Sequence, residues 1–190
     1  MSRDLWNREA EHFDDEPDHG LADPGVRAAW RELLRDVLPP APARVADLGC
    51  GTGTLTGLLV DEGYSVVGLD LAPEMLRRAR SKVPQAKFVL GDAASPALEQ
   101  HGYDVVLSRH VLWAMPDPVK AFARWVDLLR PGGVVVLVEG RWSSGAGLTA
   151  AECERIVRTV RRDVRVRPLS EPSYWGKVID DERYLVVSSR

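Results

Sequence analysis

Asp47-Leu-Gly-Cys-Gly-Thr-Gly53 is the stretch that decides the fold. It ends the apolar run Arg44–Leu48, which reads as a buried strand, and precedes Leu55–Glu62, which reads as a helix. Glycines at positions 49, 51 and 53 let the backbone turn sharply and let a ligand lie against it. Free N–H groups at the helix start then face the crevice beyond the strand ends, so the turn suits a nucleotide-like group. A dinucleotide fingerprint, G-x-G-x-x-G, needs a further glycine at position 54 or 56, and both are threonine. No Gly-Lys-Ser/Thr follows, which removes the P-loop reading. A strand-to-helix turn that needs glycine for its geometry alone is the remaining alternative.

On either side of this turn, short apolar runs alternate with amphipathic stretches, the pattern of βαβ units around a buried, mainly parallel sheet. Strands are predicted at Arg44–Leu48, Ser65–Leu69, Lys87–Leu90, Val105–Ser108 and Val134–Glu139, and helices at Leu55–Glu62, Pro73–Val83 and Pro118–Leu129. The last third differs. A helix near Thr149–Val160 precedes two strand-like runs, Val164–Leu169 and Tyr184–Val187, joined by a polar hairpin-like connection, so an antiparallel final strand is expected. The first forty residues read as helical, with Trp6 and Phe13 seven apart on one helical face, then the acidic loop Asp14–Asp18 and a helix from Pro24 to Val37. At 190 residues the chain suits one domain.

The second strand ends in Gly68-Leu-Asp70, seventeen residues past Gly53. A carboxylate there can accept hydrogen bonds from both hydroxyls of a ribose, although Asp70 also suits a helix N-cap ahead of Pro73. The third strand ends in Gly91-Asp92-Ala93, where a carboxylate can accept from an exocyclic amine such as that of adenine, or cap its turn. Val45-Ala-Asp-Leu-Gly-Cys-Gly-Thr-Gly-Thr54, Val67-Gly-Leu-Asp70, Gly91-Asp-Ala93 and Leu128-Leu-Arg-Pro-Gly-Gly133 together resemble the class I S-adenosylmethionine-dependent methyltransferases. The likeness spans about Ala43 to Glu139, and the N-terminal stretch and Gly140-Arg-Trp142 resemble a group of small bacterial enzymes often linked to metabolite tailoring.

This resemblance implies an α/β, Rossmann-like, seven-stranded, mostly parallel sheet with one antiparallel edge strand and helices on both faces. It implies a methyltransferase core over 43–190, with residues 1–42 as a helical cap over the cofactor and acceptor site. By the same likeness, Asp47, Gly49, Cys50, Gly51, Thr52 and Gly53 sit beside the methionine portion of S-adenosylmethionine. Asp70 holds the ribose, Leu71 packs on adenine, and Gly91, Asp92 and Ala93 read the adenine edge. The stretch Ser108-Arg-His110 flanks the sulfonium and amino group through its backbone. The product of the donor is S-adenosylhomocysteine. Family members that methylate DNA bases or protein amides carry Asp-Pro-Pro-Tyr-like sequences after the fourth strand. Here the segment reads Ser108-Arg-His-Val-Leu-Trp113, which argues for small molecules.

Methyl transfer needs alignment of donor and acceptor and, for a hydroxyl acceptor, removal of a proton. His110 and His19 are the candidate bases, because histidine titrates near neutral pH and His110 follows a strand at the ligand end of this architecture. His101 and His12 read as surface residues. Trp6, Phe13, Trp113 and Trp142 are candidate walls of an acceptor pocket, with core packing as the alternative, whereas Trp30 and Trp125 read as core. Arg141 or Arg109 is a candidate clamp for a substrate carboxylate. Arg155, Arg158 and Arg162, interleaved with Glu152, Glu154 and Asp163, read as a solvated face.

Composition limits the alternatives. Hydrophobic residues at 45% and charged residues at 28% fit a folded globular chain, and a net charge of -3 supplies no field for nucleic acid. No run approaches the ~20 apolar residues of a membrane span, and the opening Met-Ser-Arg-Asp-Leu-Trp has no apolar signal region, so a cytoplasmic chain without a membrane partner is expected. Cys50 and Cys153 are expected as free thiols, no metal is expected, and a monomer or weak homodimer is expected. A protein of this fold that binds S-adenosylmethionine without methylating anything would carry the same cofactor motifs.

Overall fold

The computed structural model describes residues 3–189, the side chain of Asp18 excepted. Met1, Ser2 and Arg190, at the ends of the expected segments 1–42 and 43–190, lie outside the described residues. In chain order, α1 (Arg3–Glu9), a 3-10 turn (Phe13–Asp15), α2 (Pro17–Gly20) and α3 (Pro24–Val37) precede β1 (Arg44–Leu48). There follow α4 (Thr54–Asp61), β2 (Ser65–Asp70), α5 (Pro73–Lys82), β3 (Lys87–Leu90) and β4 (Tyr103–Arg109). A second 3-10 turn (Leu112–Ala114) leads to α6 (Pro118–Val126), β5 (Leu129–Arg141), α7 (Ala150–Val157), β6 (Val164–Pro168), α8 (Pro172–Trp175) and β7 (Glu182–Ser188).

The strands form one seven-stranded sheet in the order β3-β2-β1-β4-β5-β7-β6. β1 pairs in parallel with β2 and β4, and β5 continues the parallel set, so the expected mostly parallel sheet is what forms. The reversed strand, β7, lies one place in from the edge and pairs antiparallel with both β5 and β6. Reversal has a functional consequence: β7 begins where β5 ends, with Arg183 opposite Gly140 and Glu182 opposite Arg141. Residues at the start of β7 therefore reach the carboxyl ends of the parallel strands, where ligands bind in open α/β sheets.

Helices cover both faces. On one, Trp30, Leu33 and Leu34 of α3, Leu55, Leu58 and Leu59 of α4 and Trp175 of α8 pack on Val45, Val105, Val136 and Val138. On the other, Phe122 and Trp125 of α6 and Cys153 and Val157 of α7 pack on Ala46, Leu48, Val106 and Leu137. Trp30 and Trp125 are core residues, and both cysteines are buried and free. α3 belongs to this core rather than to a cap: its apolar residues at 26, 30, 33 and 34 share one buried stripe. Asp23 starts it, accepting from the N–H of Gly25 at 2.7 Å and of Val26 at 2.9 Å.

The segment before α3 is not one helix. Pro17 and Pro24 each sit in the first turn of a new helix, because proline lacks the N–H that a preceding turn would need. Trp6 and Phe13 therefore lie on separate elements, and their rings meet edge to face at 6.3 Å.

Candidate active site

A cavity of about 400 Å³ opens at the carboxyl ends of β1, β2, β4 and β5, in the size range of small-molecule sites. One end is built by the glycine turn. Gly49 and Gly51 have φ of +72° and +54°, a left-handed backbone that side chains disfavour. A Cβ at Gly49 would run into Val111, and one at Gly51 would lie 3.4 Å from the Phe13 ring. Both glycines, with Asp47 and Cys50, line the cavity. Asp47 is 2% exposed and accepts from the Thr56 hydroxyl at 2.6 Å. Burial pushes its carboxyl up to about 6, against the opposing effects of Thr56 and Arg109. A buried carboxyl facing a cavity gains from a cationic partner there, which an ammonium or sulfonium provides.

Asp70 accepts from the Gly51 N–H at 2.9 Å through one oxygen and from the Ala72 N–H at 2.8 Å through the other. These bonds fix its plane across the glycine turn, and each oxygen keeps a lone pair for a further donor. Leu71, Met75, Asp92 and Ala93 complete this end. The donor set, a glycine cradle and three carboxylates around an apolar wall, fits the nucleoside and amino-acid parts of S-adenosylmethionine.

The other end is aromatic. His110, Trp113 and Trp142 line it, with ring centroids 5.2 Å apart for His110 and Trp142 and 5.1 Å for Trp113 and Trp142. His110 has φ of +60°, uncommon for a residue with a side chain, and its surroundings hold it there. Its N–H donates to the Val138 carbonyl at 2.8 Å, and its carbonyl accepts from the Trp113 indole at 2.9 Å. The two residues that follow are held by one carboxyl oxygen of Glu139, which accepts from the N–H of Val111 at 3.0 Å and of Leu112 at 2.7 Å. Glu139 is fully buried, and burial pushes it up to about 8. Both ring nitrogens of His110 are buried without a hydrogen-bond partner among the described residues. Burial first, then the positive charges of Arg109 and Arg183, holds this imidazole well below the ordinary histidine range, so it is neutral at pH 7.

Trp6, Phe13 and His19 of the N-terminal segment line the cavity, with Phe13 stacked on His19 at 4.3 Å. Asp14, next to Phe13, accepts from the Thr52 hydroxyl at 2.5 Å and pairs with Lys82. The His19 carbonyl accepts from Arg109 at 3.0 Å.

The cavity thus gathers most residues singled out by their position in the sequence. It leaves out five. Thr52 is spent on Asp14 and Thr54, and Gly53 packs on α5, where a Cβ would lie 3.1 Å from Ala79. Gly91 packs against Leu69, and the Ser108 hydroxyl donates to the Leu48 carbonyl at 3.1 Å. Arg141 is exposed and donates to the Gly147 carbonyl at 3.0 Å, which removes it as a clamp. Trp142, the first residue past β5, lines the cavity, and Arg141 at the strand's end does not. Arg183 lines the cavity and carries no local signal, because the pairing of β7 brings it there. Its guanidinium forks onto Asp181 at 2.7 and 2.9 Å and lies over Trp175 and Trp142.

Residues 46–137 match a family model described as a methyltransferase domain. An uncharacterised methyltransferase of Mycobacterium bovis is 43% identical over 107 residues, covering 56% of this chain and 44% of that protein. A trans-aconitate 2-methyltransferase of Rhodopseudomonas palustris is 40% identical over 109 residues, covering 56% of this chain and 42% of that protein. The chain spans less than half the length of these curated relatives. The crystal structure of an S-adenosylmethionine-dependent methyltransferase from Mesorhizobium loti superposes with a TM-score of 0.69 at 22% identity, covering 84% of this chain and 96% of that one, and shares the fold. Among the described residues no helix is long and apolar enough to cross a membrane, and no three His, Cys, Asp or Glu side chains come together as metal ligands.

Proposed function

We propose that this chain is a class I S-adenosylmethionine-dependent methyltransferase and that it methylates a small molecule held in the cavity between the glycine turn and the aromatic end formed by His110, Trp113 and Trp142. One observation carries the reading: a single cavity joins a nucleoside-type end, with Asp47, Asp70 and Asp92, to an aromatic end with a neutral, unpartnered histidine. S-adenosylmethionine supplies an already activated methyl group. Asp47 holds its amino-acid part, which lies against the side-chain-free backbone of Gly49 and Gly51, Asp70 holds the ribose, and Leu71, Met75, Asp92 and Ala93 hold the adenine. His110 orients the acceptor and takes its proton, and the segment from Trp6 to His19 excludes water. A cavity of about 400 Å³ lined by apolar and aromatic side chains suits a metabolite.

Incubation with S-adenosylmethionine and a metabolite library tests this directly. Release of S-adenosylhomocysteine together with an acceptor heavier by one methyl group is expected. Donor consumption without a methylated product would instead favour a non-methylating reaction in the same fold.

Two substitutions probe the donor end. Asp70→Ala removes charge-assisted hydrogen bonds and is expected to weaken S-adenosylmethionine binding by about 1–3 kcal/mol with the fold intact. Unchanged affinity in calorimetry would take the ribose away from Asp70. Asp14→Ala cuts the tie between the N-terminal segment and Thr52. Because Asp14 and Lys82 are each 35% exposed, their ion pair adds little, and a loss of about 1 kcal/mol, roughly fivefold in affinity, is expected. A faster donor release rate in stopped-flow measurements should accompany it, and an unaltered rate would show that Asp14 does not hold the segment.

A further inference from the structure

The chain leaves β4 by an abrupt reversal at His110, whose φ is +60°. The His110 N–H still donates to the Val138 carbonyl, but the paired register of β4 and β5 ends one residue earlier, with Arg109 opposite Val138. Beyond that point the N–H groups of Val111 and Leu112 have no strand to pair with, and Leu112 is fully buried. Buried backbone donors need an acceptor. One oxygen of Glu139 serves both, at 3.0 and 2.7 Å. Glu139 follows Val138 on β5, so its side chain takes over where the backbone pairing stops.

The segment held in this way is part of the cavity wall. Val111, Trp113, Ala114 and Met115 line the cavity, and Glu139 does not. Val111 reaches the glycine turn: its side chain occupies the place that a Cβ on Gly49 would take. Val111, Asp47 and Gly49 therefore share one stretch of wall. The arrangement carries a cost. The second carboxyl oxygen of Glu139, Oε2, is buried with no partner among the described residues, and His110 keeps a left-handed backbone. Costs of this kind cluster at functional sites.

Resting on the reading of the glycine-turn end as a site for S-adenosylmethionine, we infer that Glu139 is a positioning residue. By fixing Val111 against Gly49 it shapes the subsite for the amino-acid part of the donor, and it leaves the nucleoside part to Asp70, Leu71 and Asp92. Those three residues end β2 or follow β2 and β3, and β1 and β4 separate them from β5. A slack segment at 111–112 thus disturbs one half of the donor and spares the other.

Two ligands with the same nucleoside and sulfur separate the halves. S-adenosylhomocysteine carries the amino-acid part, and 5′-methylthioadenosine lacks it. Binding of each to the full chain is measured by calorimetry. Glu139→Leu strands two buried N–H groups, and is expected to weaken S-adenosylhomocysteine about tenfold and 5′-methylthioadenosine by less than about twofold. Glu139→Gln keeps an oxygen for both N–H groups and should hold both ligands within about twofold of the unaltered chain. Glu139→Asp, one methylene shorter, cannot keep both bonds and should repeat the selective loss in smaller measure. A role in the fold alone would move both ligands together.

Equal weakening of the two ligands overturns the inference, as does unchanged S-adenosylhomocysteine affinity in Glu139→Leu. A loss in Glu139→Gln as large as in Glu139→Leu overturns it too. If the leucine variant does not fold, the same comparison is read on Glu139→Asp, and failure of both to fold assigns Glu139 to the fold and overturns its role in the site. Failure of the unaltered chain to bind S-adenosylhomocysteine strikes the donor reading as well. Binding by the unaltered chain with an unselective loss in the variants strikes only the role of Glu139.

Discussion

Trp30→Ala is expected to lower the free energy of unfolding by about 3–5 kcal/mol, the largest effect of any single truncation considered. Trp30 is fully buried on α3, and its indole N–H donates to the Tyr174 carbonyl at 2.7 Å. Its ring meets Tyr174 and Trp175 edge on, at 6.4 and 5.7 Å, and carries the Arg109 guanidinium 5.4 Å from its centre. Truncation removes the ring contacts, leaves a cavity, and strands a buried carbonyl. At about 2–4 °C per kcal/mol for a chain of this size, the midpoint of thermal unfolding should fall by roughly 10 °C. Trp30→Phe, which keeps most of the ring, should lose about half as much. Unfolding of the alanine variant within about 1 kcal/mol of the parent would show that α3 is not joined to the core as described. The same contact ties the fold to the site, because Arg109 faces the cavity and rests on this ring.

Stability is expected to fall as pH rises from about 6.5 to 8, and Glu139→Gln should abolish that slope. Burial holds the Glu139 proton up to about pH 8 in the folded chain, whereas the unfolded chain releases it near 4.5. Between those values the folded state binds more protons than the unfolded state, so raising the pH favours unfolding by up to about 1.4 kcal/mol per pH unit. This stabilisation is complete below the unfolded value and lost as pH passes through about 8. Asp47, held up to about 6, acts with the same sign at lower pH. Buried His110 acts oppositely: its neutral form favours the folded state above the ordinary histidine value, and the benefit shrinks as pH falls below about 6.5. Above 6.5 Glu139 therefore dominates among these three groups, and a loss on the order of 2 kcal/mol is expected by pH 8. Glutamine keeps an oxygen for the Val111 and Leu112 N–H groups but does not titrate. Urea unfolding across this window is the measurement, and parallel slopes for the two proteins would refute a protonated Glu139.

The parts of the site that were legible in the sequence are those built from consecutive residues. Gly49, Gly51 and Asp47 declare themselves because a backbone that turns against a ligand requires particular residue types at fixed spacing, and Asp70 and Asp92 end strands that the apolar pattern locates. Spacing does not say which way each residue faces. Gly53 and Gly91 resemble their cavity-lining neighbours and pack instead on Ala79 and Leu69, and Ser108 turns to the Leu48 carbonyl. Trp142 as a wall and Arg141 as a clamp were neighbouring candidates, and the structure turns the first into the cavity and the second onto the Gly147 carbonyl. The N-terminal reading failed for a related reason: period alone made one helical face of Trp6 and Phe13, which two separate elements bring together.

By itself, the sequence determined the alternation of strands and helices, the ligand end of the sheet and the chemistry of the donor cradle, because each follows from backbone geometry and residue type within a few positions. Only the tertiary structure decided the rest. The place of β7 between β5 and β6 depends on pairing across the sheet and carries Arg183 into the cavity from 44 residues beyond Glu139. Glu139 takes its role from the loop that folds back onto it, and His110 its neutrality from the rings and charges packed around it. Burial and charge environment are sums over residues distant in the chain, so no local pattern encodes them.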